Sequence, residues 1–76
     1  MATTINPLRH LREQFDTNRA NFARRYRIPY GTICQAELGM IERPIRFIAT
    51  LAQLSGRKAK ELHEAYDFWR FDNAEI

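Results

Sequence analysis

Pro29 falls between two short helical patterns in the stretch FARRYRIPYGTICQAELG, residues 22–39. Proline lacks a backbone N–H and its ring clashes with the preceding turn, so it has no place in a helix interior. Neither pattern is long enough to hold as an isolated helix, so both must be packed within a domain. The segment reads as helix, tight turn, helix. Phe22, Ala23 and Tyr26 mark the apolar stripe of the first helix, and Ile33 the inward side of the second. Asn18 suits the cap of the first, running through about Tyr26. Gly39 suits the left-handed residue that closes the second. Pro29 is expected at the start of that second helix, where a missing N–H costs nothing.

Three more helical patterns flank this pair. One begins near Pro7 with Asn6 as its cap and carries Leu8, Leu11 and Phe15 inward. After the loop MIERP, Pro44 opens another. Ile45, Ile48, Ala49, Leu51, Ala52 and Leu54 make it apolar over a wide arc, as expected of a central helix, and Ser55-Gly56 ends it. The last runs from about Lys58 towards Phe71, with Leu62, Ala65, Tyr66 and Trp69 on one stripe. Residues 72–76 are expected to fray. RYRIPY alternates briefly, but its proline argues for a turn rather than a strand. Without repeats or a linker, the expectation is one all-α domain of five helices, with a core over about 7–71.

At 76 residues the chain can build one core of marginal size, and 45% hydrophobic residues with nine aromatics suffice to pack it. Its charge is uneven. Up to Arg46 there are eight arginines against Glu13, Asp16, Glu37 and Glu42, about +4, which leaves −1 on the remainder of a +3 chain. Arginine is the cation suited to bidentate phosphate and base contacts. Cys34 has no partner for a disulfide and no ligand-spaced companion, which points to a reducing cytoplasm. No apolar run approaches a membrane span, and MATTINPLRH lacks the apolar stretch of a signal peptide. His10 and His63 lie far apart, and HEAYD lacks the second histidine of a zinc-protease helix. No glycine-rich phosphate loop and no activated nucleophile is present. The expectation is a protein that is not an enzyme and takes no cofactor or metal.

Two short helices joined by a tight turn form the unit whose second helix enters the DNA major groove. NFARRYRIPYGTICQAELG, followed by RPIRFIATLAQLSGRKAKEL, resembles the Xre family, the repressor and Cro-type domain of phages. The resemblance is carried by Phe22-Ala23, Thr32-Ile33, Glu37 with Gly39, Pro44, and the run Ala52, Gly56, Leu62. It spans about Leu8 to Leu62 and rests on joint spacing rather than on any one element. It implies a lambda-repressor-like fold with its helix-turn-helix over about 18–38, and a cytoplasmic transcriptional regulator of a phage or plasmid. Such a regulator binds a palindromic operator in double-stranded DNA as a homodimer.

The same resemblance implies roles position by position. Tyr30, Gly31, Thr32, Cys34 and Gln35 would face base edges, with Gln35 the strongest reader because its amide can pair bidentately with adenine. Asn18, Arg19, Arg43 and Arg46 would lie along the phosphate backbone. This sequence also departs from the family pattern. Gly31, Cys34 and Ala36 offer few donors, Pro29 stands where a Ser or Thr cap is usual, and Met40-Ile41-Glu42 replaces a loop that is commonly basic.

Tyr66, Phe68, Trp69 and Phe71 crowd the last helix, and one stripe buries only two of them. Phe68 and Phe71 are therefore candidates for a dimer interface. A different class of function stays open: a protein-interaction module, antirepressor-like, that uses the same scaffold to bind another regulator through Met40-Ile41 and the aromatic tail.

Overall fold

The computed structural model describes residues 5–74, and five α-helices make up most of them. They are α1 (Pro7–Phe15), α2 (Arg19–Tyr26), α3 (Tyr30–Glu37), α4 (Ile45–Ser55) and α5 (Ala59–Ala74). There is no strand among the described residues. The radius of gyration, 11.6 Å, is close to the roughly 11 Å expected of a packed chain this long. No described helix is long and apolar enough to cross a membrane.

Local chemistry sets most of the helix ends. Asn6 caps α1, its Oδ1 accepting from the Leu8 N–H at 2.9 Å. Asn18 caps α2 in the same way, accepting from the Asn21 N–H at 3.1 Å. Both glycines expected at helix ends have positive φ, 77° at Gly39 and 77° at Gly56. Around Gly39 the Met40 N–H donates back to the Gln35 carbonyl at 2.8 Å and the Gly39 N–H to Ala36 at 3.0 Å, which closes α3. At the end of α2 the left-handed position is taken by Arg27, with φ 57°. Ile28 follows it and is buried, anchoring the turn in the core.

The core gathers one stripe from each helix: Leu8 and Leu11, Phe22 and Ala23, Ile33 and Ala36, Phe47, Ile48 and Leu51, Leu62 and Tyr66. α2 packs on α3 and α4 on α5, while α1 reaches α3, α4 and α5. Phe22 sits between Tyr26, 4.7 Å away between ring centroids, and Phe47, met edge-on at 5.9 Å.

Pro29 stands at the start of α3, in the cap position: its ψ of 133° is extended and its carbonyl accepts from Thr32 and Ile33. Pro44 holds the same place before α4. Other expectations need correction. Ile45 and Ala49 face out, because the buried stripe of α4 is centred on Phe47, whose ring interlocks with Phe22. Ala65 is exposed, leaving Leu62, Tyr66 and the half-buried Trp69 as the inward side of α5. α5 continues through Asp72 to Ala74 rather than fraying from Asp72; Glu75 and Ile76 lie outside the described residues.

Candidate nucleic-acid interface

α3 is a helix of two faces. Ile33, Ala36 and Glu37 are buried, whereas Tyr30, Gly31, Gln35 and Leu38 are exposed and Thr32 and Cys34 are half-buried. The five residues expected to face bases therefore all reach the surface, with Gln35 central among them. Leu38 extends the same exposed side at the helix end, and the sequence reading did not single it out.

The inner face is fixed by more than apolar packing. Arg12 of α1, only 1% exposed, forms a two-pronged ion pair with Glu37, Nε to Oε2 at 2.8 Å and Nη2 to Oε1 at 2.9 Å. Its Nη1 donates to the carbonyls of Asp16 at 2.9 Å and Thr17 at 2.8 Å. One guanidinium thus ties the α1–α2 link to the last turn of α3. Asn6 adds a second tie: its Nδ2 donates to the carbonyls of Ala36 and Glu37, each at 3.0 Å. The loop beyond α3 is held by α5, with Tyr66 Oη donating to the Ile41 carbonyl at 2.6 Å and Arg70 Nε to the Gly39 carbonyl at 3.0 Å. No buried side-chain N or O among the described residues lacks a partner. A short helix held at both its buried face and its C-terminal end keeps a defined pose.

The expected backbone residues divide. Asn18 spends its side chain on the α2 cap. Arg19 lies against α3, with Nε 3.5 Å from Glu37 Oε1 and Nη1 donating to Cys34 Sγ at 3.6 Å. The hydrogen bond with Cys34, chiefly, raises its pKa further, against the opposing effect of burial, and the charge of Glu37 adds to the rise. Arg19 is thus a cation at every accessible pH. Tyr30 sits in the same cluster; a hydrogen bond with Cys34, above all, pushes its phenol upward. Arg46 reaches the α2–α3 turn, donating from Nη2 to the Arg27 carbonyl at 2.8 Å. Arg43 instead lines a depression beside α5 with Glu42, Asp67, Arg70 and Phe71. The structure therefore brings Arg19 against α3 and Arg46 to the turn that precedes it, and sets Arg43 beside α5.

Phe68 and Phe71 are 74% and 73% exposed. They border different depressions, Phe68 one between the start of α1 and α5, Phe71 the one that holds Arg43. Among the described residues no three metal-capable side chains cluster.

Sequence reading missed Arg12 altogether. Its buried role depends on Glu37 arriving from another helix, and the only signal available was an arginine one residue after Leu11 on an otherwise apolar stripe. Compared with models of protein families, with curated proteins and with solved structures, the chain matches none of them.

Proposed function

We propose that this protein is a sequence-specific DNA-binding transcriptional regulator of the lambda-repressor-like, Cro type. In this reading α2, the turn and α3 form a helix-turn-helix, α3 enters the major groove, and Gln35 reads a base edge while Thr32 and Tyr30 border it. Arg19, against α3, and Arg46, at the α2–α3 turn, meet phosphates. The supporting observation is the mounting of α3: its buried face is locked by Arg12, Asn6 and the core, while Gly31, Gln35 and Leu38 stay exposed on its outer face beside the Arg19–Cys34 contact. A palindromic operator would be bound by a homodimer assembled through the Phe71 side of α5, which multiplies a modest half-site affinity.

The test is binding to genomic fragments and to random duplexes as a function of salt. A DNA-binding protein loses affinity steeply with salt, since each phosphate contact releases about one counterion, and selects one recurring sequence. A flat salt dependence and no selected sequence would defeat the proposal. A second reading has its own observation: Leu38 and Met40 are 67% and 69% exposed at the end of α3, an apolar pair better suited to a protein than to phosphates. Salt-insensitive association with another regulator, without DNA binding, would select that antirepressor-like role.

A further inference from the structure

A groove of about 560 Å³ runs between the start of α1 and the outer side of α5. Ile5, Phe68 and Trp69 give it an apolar floor, and Glu61, Glu64 and Asp72 stand around it. Glu61, Glu64, Phe68 and Asp72 recur at three- and four-residue steps, so they share one face of α5. None of the described residues lining the groove is basic, although the chain as a whole carries +3. The local charge is thus opposite in sign to that of the molecule, and it repels phosphate.

That charge also decides against pairing this face of α5 with its own copy across a two-fold axis. A two-fold pairing of α5 with its copy would set the same three carboxylates against themselves, and like charges in close opposition disfavour a complex. The depression beside Phe71 differs. It holds Glu42 and Asp67 together with Arg43 and Arg70, so two copies related by a two-fold axis can match opposite signs there. Phe71 fits self-assembly and Phe68 does not.

We propose that the α1–α5 groove docks a basic amphipathic helix of another protein. Its apolar side chains would cover Phe68 and Trp69, and its Lys or Arg residues would pair with Glu61, Glu64 and Asp72. Helix-in-groove recognition needs this combination of an apolar floor and a charged border. The inference does not depend on DNA binding.

Trp69 is the chain's only tryptophan, so its emission reports on the groove. The full chain is titrated with a short amphipathic peptide of leucine and lysine, and with a counterpart carrying glutamate in place of lysine. The leucine–lysine peptide is expected to shift the emission saturably, and the glutamate counterpart to leave it unchanged. Phe68→Ser, and separately the pair Glu61→Lys with Glu64→Lys, should weaken binding by at least about tenfold. All three positions are exposed, so circular dichroism should stay the same. Equal binding of both peptides, binding of neither, or indifference to the glutamate changes overturns the proposal. So does a dimer that Phe68→Ser alone converts to monomer in sedimentation, which would assign the groove to a second copy. A response that emerges only after residues 1–4 are removed would assign it to the chain's own start.

Discussion

Arg12 and Glu37, 25 residues apart in sequence, meet fork to fork in the interior, with both of their hydrogen bonds shorter than 3 Å. Breaking such a pair from one side leaves a buried charge without its counter-charge. Glu37→Gln is therefore expected to cost about 3–5 kcal/mol. A domain of this length has only roughly 4–11 kcal/mol in total, so the variant should sit near the edge of unfolding. Replacing both partners, Arg12→Met with Glu37→Leu, should cost clearly less than Glu37→Gln alone. Urea midpoints of the variants decide it; a loss under about 1 kcal/mol for Glu37→Gln would show that the pair does not hold α3.

Gly39 is constrained twice. Its φ is positive, and a Cβ built there would stand 2.8 Å from Cζ3 of Trp69. Gly39→Ala should lower stability by about 1–3 kcal/mol. Trp69→Leu should recover part of that loss in a double-mutant cycle, because it removes the clash and leaves the backbone strain. Strictly additive effects would confine the penalty to φ.

Tyr66 links stability to alkaline pH. Burial, the main cause, raises its phenol above 10, with Arg70 opposing the rise and Asp67 adding to it. The folded state therefore keeps the phenol neutral where the unfolded chain already ionises. Its contribution is complete below about pH 10 and is lost as pH climbs through the folded value. Tyr66→Phe should cost on the order of 1 kcal/mol at neutral pH by orphaning the Ile41 carbonyl, and should flatten the decline above pH 10. Thermal melts from pH 7 to 11 measure both; an equally steep decline in the variant would move its source away from Tyr66.

For the DNA-binding reading, Gln35 and Arg19 should behave differently. Gln35→Ala is expected to cost about 1–3 kcal/mol on a selected operator and little on random duplex. Arg19→Ala should weaken both alike and reduce the salt slope by about one. An unchanged operator-to-random ratio for Gln35→Ala would remove Gln35 as a reader.

Features with local causes were legible from residues alone. The Asn6 and Asn18 caps, and the glycines at 39 and 56, follow from side chains acting within a turn of their own positions. Five helices and their order follow from periodicity and from Pro7, Pro29 and Pro44. Features that depend on what arrives from elsewhere were not legible. Phe47 displaces Ile45 from the interior because Phe22 offers it an edge-to-face partner from another helix. Asn6 reads as a cap, yet its amide also holds α3 thirty residues away. At the candidate site the exposed residues of α3 were legible from the helical period, whereas Arg12, the far-side support of that helix, was not.

The division of α3 into a locked face and an open one has an evolutionary consequence. Substitutions at Gly31, Gln35 or Leu38 change what the helix presents without touching Ile33, Ala36 or Glu37, which hold it in place. The exposed chemistry of α3 can therefore drift through many alternatives at almost no penalty to folding. A lineage carrying this scaffold is free to diversify that surface faster than its architecture.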